Sequence, residues 1–354
     1  MGQDPGRDLD AQDQRAARGG LRLRRKVRYA LPPEVAADPF AAVRSACARV
    51  AERARAVGID QAQLERYAEK LPIEEVRRAG TDAFRGVAGS IDVRAAFVLS
   101  LNAINFGSGY FPQLKKRAGT SGYHTLEACL REQFGAAGPF TAAELRVMTG
   151  ERCARLLEQP APSPQIRELM ELYAQSWREL GSLLERRFGG SFTAFVEAAG
   201  GSAARLVRAL LELPLYHDIA SYAGFSVPLL KRAQLCVSDL ALALPDDLGR
   251  FQDLDRLTAF ADNLVAHVLR VDGILCYEPD LLRRIEREEP IAAGSPEEVE
   301  IRACEVHAVE LLIAELERRS LRLVPHQLDA WLWSRGGRPA YKAQPRHRTR
   351  CPYY

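Results

Sequence analysis

Four stretches of this chain carry residue types and spacings that can do chemistry. The first, Tyr216–Leu244 (YHDIASYAGFSVPLLKRAQLCVSDLALAL), sets Lys231 among Val227, Leu229, Leu230, Ala233 and Leu235. A lysine there ordinarily lays its stem over the apolar face and keeps its ammonium in water. Lysine is scarce here, however, at six of 49 basic residues, and that sets Lys231 apart. The second, Leu257–Arg270 (LTAFADNLVAHVLR), puts Asp262 directly before an apolar-periodic helix, where an aspartate is a natural N-cap. A carboxylate on a helix N-terminus stays ionised. Facing a cleft, it can stabilise a developing sugar cation or activate water. The third, Glu298–Glu310 (EVEIRACEVHAVE), aligns Glu298, Arg302 and Glu305 on one stripe of a helix that is otherwise apolar nearly all round. Buried charges need partners, so the stripe is either an internal ion-pair ladder or a place where a carboxylate meets a cationic ligand. The fourth is the tail, His347–Tyr354 (HRTRCPYY), a basic cluster suited to a phosphate that runs into aromatic residues. A fraying basic tail is the plain alternative.

Other chemistries leave no trace. The chain has no P-loop, no dinucleotide-binding glycine pattern after a strand, no H-E-x-x-H and no G-x-S-x-G. Its six histidines do not pair at metal-ligand spacing, so no structural zinc is expected. A net charge of +3 is too balanced to indicate a nucleic-acid partner, and the arginine excess reads as genome composition. The seven cysteines include no C-x-x-C pair, which points to reduced thiols. Cys351 stands fourth from the end as in a lipidation signal, but Pro352 and Tyr354 make that a coincidence.

The 354 residues, 47% hydrophobic and 27% charged, are enough for two domains or one two-lobed domain, and exclude wholesale disorder and collagen-like repeats. No apolar run approaches the roughly 18 residues of a membrane span. The best, Leu206–Leu215 and Ala308–Leu316, are cut by Arg or Glu. The N-terminus lacks a signal-peptide pattern, and a cytoplasmic protein is expected.

Polar residues 1–20 read as disordered and Leu21–Tyr29 as a short extended segment, together a 1–30 extension. From about Asp38 the periodicity is helical: Ala41–Ala56, Gln61–Ala79 and Ser90–Leu101. Asn102–Tyr123 breaks it with glycines and aromatics and reads as a loop or short hairpin. Helices resume over His124–Phe134, and Thr141 with Glu144 forms a capping box for a helix to about Leu157. Gln159–Pro164 reads as a linker between an N-terminal lobe, 31–158, and a C-terminal lobe, 165–354. The second lobe should hold helices over Gln165–Phe188 and 191–213. One capped by Ser226, with Pro228 in its first turn, should run to about Leu244. Others should cover 263–271, Ser295–Arg319 and Gln327–Trp333. The fold class is all-α with a minor hairpin element.

A lysine on a loop–helix followed by an aspartate capping a later helix resembles the helix-hairpin-helix DNA glycosylases. The hairpin here is less glycine-rich, which implies a weaker grip on a phosphate backbone. As a set, KRAQ at 231–234, FAD at 260–262, EVEIRAC at 298–304 and HRTRCPYY at 347–354 resemble the queuosine salvage protein family. NFGSGY at 105–110, SGY at 121–123 and FGGSF at 188–192 add to the match. The resemblance covers roughly residues 35–354. It implies a fold related to those glycosylases and an N-glycosidase that releases queuine from queuosine 5′-monophosphate without metal or organic cofactor. Neither a stable nucleic-acid complex nor a membrane partner is implied.

On that resemblance Asp262 is the catalytic carboxylate and Lys231 its support. Queuine is a 7-deazaguanine and cannot be protonated at N7 to leave, so hydrogen bonds must come from the protein. Asn102, Asn105 and the 105–123 backbone are candidates. Phe106, Tyr110 and Tyr123 would stack on the base, as aromatic walls do on flipped bases. Asp218, Asp239, Glu298 or Glu305 would meet the amine of the base, with Arg302 on the same stripe. His347, Arg348 and Arg350 would take the 5′-phosphate. This reading requires Asp262 to face a dry slot between the lobes. The alternatives are a non-catalytic helix-hairpin-helix nucleic-acid-binding protein and a helical interaction scaffold.

Overall fold

The computed structural model describes residues 30–81, 83–84 and 87–354. The disorder expected over 1–20 and the extended segment at Leu21–Tyr29 lie outside them. The described chain is mostly helix, with two short antiparallel strand pairs. No helix among the described residues is long and apolar enough to cross a membrane.

Helix α1 (Pro33–Ala37) leads into α2 (Pro39–Ala51), capped by the Asp38 carboxylate. After β1 (Val57–Ile59), the helix expected over 61–79 is two helices, α3 (Gln61–Glu69) and α4 (Ile73–Arg78). Pro72, which lacks an N–H and clashes with the preceding turn, separates them. Helix α5 (Ile91–Ala103) runs past the expected start of the loop and keeps Asn102 helical, while α6 (Gly122–Ala137) takes Tyr123 into its first turn. The Thr141–Glu144 capping box forms, but its helix, α7 (Ala142–Arg146), is short. A second cap at Thr149 then starts α8 (Gly150–Leu156).

The long α9 (Pro164–Phe188) ends at Gly189, left-handed with φ 57°, and the shorter α10 (Phe192–Glu197) and α11 (Ala203–Leu210) follow. Ser226 caps nothing. Ile219–Tyr222 (β2) and Phe225–Pro228 (β3) pair as a hairpin, Tyr222 opposite Phe225. Ala223 and Gly224 turn it with φ of 45° and 83°, the two positive values that a tight two-residue hairpin needs. Helix α12 therefore begins at Lys231 and runs to Ala243, so that lysine is the first helical residue rather than one turn in. Next come α13 (Asn263–Val271), β4 (Leu275–Tyr277, paired with β1) and α14 (Pro279–Glu286). The chain ends with α15 (Pro296–Arg318), α16 (Pro325–Arg335) and α17 (Pro339–Lys342).

Buried apolar side chains form two cores. The first takes residues from α2 and α5 through α12, on both sides of the Pro-rich 159–164 segment. The second takes β1, α3, β4, α13 and α16. Helix α15 belongs to both: Val299, Ala303 and Val306 face the first core, and Ile301, Cys304, Ala308 and Val309 face the second. That double burial explains its all-round apolar sequence. Lys231 enters from the first core and Asp262 opens a helix of the second.

The tail is ordered across this junction. Asn263 donates to the His347 carbonyl at 3.4 Å, and Ile291 N–H to the Arg348 carbonyl at 2.8 Å. Gly107 and Ser108 N–H both donate to the Tyr354 carbonyl. A Cβ at Gly109 would collide with the Thr349 carbonyl, so loop and tail touch backbone to backbone.

Candidate active site

Asp262 has an extended backbone and caps α13, its Oδ1 accepting the Leu264 N–H at 2.5 Å. Its Oδ2 lies 3.0 Å from Lys231 Nζ, with side-chain exposures of 9% and 7% respectively. Burial alone would raise the carboxyl's pKa, but the Lys231 ammonium, the Leu264 N–H and the more distant Arg346 outweigh it. Asp262 is thus held below the usual carboxylate range. The result is an ionised acid, largely shielded from water, with a cation on one oxygen and a helix N-terminus on the other.

Lys231 reaches that place through a strained turn. Leu230 is left-handed at φ 53°, a costly conformation for leucine. Asp218 holds the turn: its carbonyl accepts the Leu229 and Leu230 N–H groups at 3.0 and 3.3 Å, and its Oδ2 accepts the Lys231 N–H at 3.2 Å.

The α15 stripe forms half the expected ladder. Arg302 pairs with Glu298 at 3.4 Å but turns from Glu305 to grip Asp218, at 3.0 and 2.6 Å. Its Nε donates to the Ala261 carbonyl at 3.1 Å, and its guanidinium lies 4.5 Å from the Tyr354 ring centre. Asp218 and Glu298 are therefore already paired with a protein cation, and neither is open to a ligand amine. Glu305 is fully buried, and neither of its oxygens has a hydrogen-bond partner among the described residues. Burial, then the fields of Asp329 and Asp262, push its pKa well up.

Asp329, on α16, was not singled out by sequence. It accepts the Phe260 N–H at 2.9 Å, and burial and the Asp262 charge raise its pKa. Asp239 accepts from Asn102 Nδ2 at 2.8 Å, and burial pushes it up to about 7, against Asn102 and Lys231. Asp239, one of the four carboxylates expected to meet an amine, is thus placed near neutrality.

The aromatic candidates divide. Phe106 is buried against Tyr173, with centroids 4.9 Å apart, and under Arg232 at 4.5 Å. Tyr110 is buried and bonds Glu168 at 3.1 Å. Both rings are buried among protein neighbours. Asn105 and Tyr123 are half-buried. Tyr123 stands edge-on to Trp333, centroids 5.7 Å apart, with His124 alongside, and its phenol is within the field of Asp239. Trp333 lies one turn after Asp329 on α16, a proximity that sequence spacing from Tyr123 could not reveal.

The tail cations are also rearranged. Burial takes His347 down to about 3, leaving it neutral, and its ring faces the Tyr354 hydroxyl at 3.4 Å. Arg348 pairs with Glu288 at 2.6 Å, and Arg350 is exposed beside the Tyr110 ring. After Lys231, the cation whose field reaches Asp262 is Arg346, which the sequence did not single out. Lys116 senses both Arg346 and Arg348, so these three cations lie near one another.

The family model described as queuosine salvage protein matches residues 89–354. A protein of Sphaerobacter thermophilus named queuosine 5′-phosphate N-glycosylase/hydrolase is 38% identical over 312 residues, covering 86% of this chain and 95% of the relative. Proteins of the same name from Mus musculus and Bos taurus are 30% and 31% identical, each covering 86% of this chain and 96% of the relative.

Proposed function

This chain belongs to the queuosine salvage protein family, and we propose on that premise that it hydrolyses the N-glycosidic bond of queuosine 5′-monophosphate to release queuine. The observation that carries the reading is the enclosed Lys231–Asp262 pair, 3.0 Å apart, on the N-terminus of α13.

Cleavage breaks the bond between ribose C1′ and the base nitrogen. The base takes the bonding electrons and a proton, and the oxygen of water ends on C1′, giving queuine and ribose 5-phosphate. The transition state resembles an oxocarbenium ion, as in glycoside hydrolysis, and a fixed carboxylate stabilises it. Asp262 supplies that carboxylate. Lys231 and the Leu264 N–H keep it ionised where water is scarce. A 7-deazapurine leaves without protonation at N7, so stabilisation of the sugar cation carries more of the barrier.

Asp239 serves the cationic side chain of queuine, because Asp218 and Glu298 are paired with Arg302 and Glu305 is enclosed. Asn102, bonded to Asp239, and Asn105 lie on the base side, and Tyr123 with Trp333 offers the aromatic edge. Arg346, with Lys116 and Arg348 near it, serves the 5′-phosphate better than the neutral His347. The test is incubation of the purified full chain with queuosine 5′-monophosphate and chromatography of the products. Release of queuine by the wild type and its loss in Asp262→Ala support the reading, and full release by that variant sinks it.

A further inference from the structure

The two groups of the pair come from segments that share no secondary structure: Lys231 opens α12 and Asp262 precedes α13. One side chain joins both segments. The planar guanidinium of Arg302 grips the Asp218 carboxylate with two nitrogens, at 3.0 and 2.6 Å, and Asp218 in turn holds the Lys231 backbone N–H. Its third nitrogen, Nε, donates at 3.1 Å to the carbonyl of Ala261, the residue just before Asp262. The donors of arginine diverge in a rigid fork, so these contacts fix the separation of the two segments. Glu298 at 3.4 Å and the Tyr354 ring, 4.5 Å from the guanidinium, hold the fork itself.

We propose that Arg302 is a positioning residue that sets the Lys231–Asp262 contact by clamping Asp218 and the Ala261 carbonyl together. With its side chain 2% exposed, it has no access to a substrate and acts only through these partners. The proposal rests on the reading of Asp262 and Lys231 given above. It explains why α15 buries a charged residue between two apolar cores, and why the Leu230 turn tolerates its left-handed backbone.

Arg302→Lys keeps the charge and loses the fork. Displacement of reacting groups by about 1 Å can cost on the order of 100-fold, so kcat should fall by about that factor while KM changes less than roughly threefold. The acid limb of the rate profile should move to higher pH, because Asp262 loses part of the ammonium field that holds it ionised. Asp218→Asn keeps the shape of its side chain and should lose about tenfold in kcat, with the same displacement of the acid limb. The double variant should fall no more than roughly threefold below Arg302→Lys, since both act on one linkage. If Arg302→Lys does not fold, Asp218→Asn carries the test alone. A variant that melts earlier but keeps kcat and the acid limb unchanged overturns the proposal. A crystal structure of Arg302→Lys decides independently of activity: Lys231 Nζ beyond about 4 Å from Asp262 supports it, and an unmoved contact overturns it. A wild type that releases no queuine would instead refute the functional reading.

Discussion

Asp60 and Asp262 perform the same local task. Each has an extended backbone, and each caps a helix by accepting an N–H of its first turn, from Gln63 at 2.8 Å and Leu264 at 2.5 Å. Asp60 is half-buried, and among the described residues no cation pairs with it. Asp262 is 7% exposed with an ammonium against its second oxygen. The cap therefore explains where both aspartates stand, and does not explain Lys231. Burying a carboxylate and keeping it charged is costly. A structural cap has no need of that cost, and the role proposed for Asp262, stabilising a sugar cation, does.

The sharpest way to break the comparison is to remove the charge and keep the cap, since asparagine caps as well as aspartate. Asp262→Asn should lower queuine release by about 10³-fold or more with the circular dichroism spectrum unchanged, the range expected for loss of a reacting acid–base group. Asp60→Asn should leave the rate within about twofold and stability within roughly 0.5 kcal/mol. Equal effects at the two positions would erase the distinction.

Lys231→Met tests the second feature. The rate should fall by about 100-fold, and the acid limb of kcat/KM should move to higher pH. Without the ammonium, burial raises the Asp262 carboxyl instead of being outweighed. A rate profile that keeps its acid limb would mean the pair is structural. A smaller effect is expected from Arg346→Ala. KM for the 5′-monophosphate should rise by roughly tenfold while cleavage of the unphosphorylated nucleoside stays as it was, a contrast read by steady-state kinetics on both substrates.

The smallest effect concerns Glu305, a third carboxyl that neither caps nor pairs. Its folded pKa is raised above the ordinary 4.5, so its contribution to stability is complete below that value and is lost as pH rises toward the folded pKa. Glu305→Gln does not titrate. Its melting temperature should match the wild type near pH 4 and exceed it by a few degrees at pH 8, as scanning calorimetry would record. A gap that shrinks with rising pH would show Glu305 to be ionised and stabilising in the fold.

How much of this was legible depended on distance along the chain. Asp262 as a cap, the Ser295-started α15 and the Thr141–Glu144 box follow from neighbours three or four residues apart. The β2–β3 hairpin was missed because its Ala223–Gly224 turn lacks the usual Asn or Asp signal, and Ser226–Pro228 imitates a helix start. Lys231 stood out by composition and by the KRAQ motif at 231–234, but its contact with Asp262 joins two helices that no local pattern connects. Arg302 and the α15 stripe were visible as buried charge, but their true partner, Asp218, lies 84 residues away.

Local rules, capping and hydrophobic period, thus determined from sequence that the chain is helical and that an aspartate stands at the head of α13. The tertiary structure alone decided which charges meet there. Asp329 arrives with α16, Arg346 with the returning tail, and Lys231 across the seam between two cores. The energy of a charge depends on what surrounds it within a few ångströms, and the chain supplies those surroundings from segments that no short-range pattern connects.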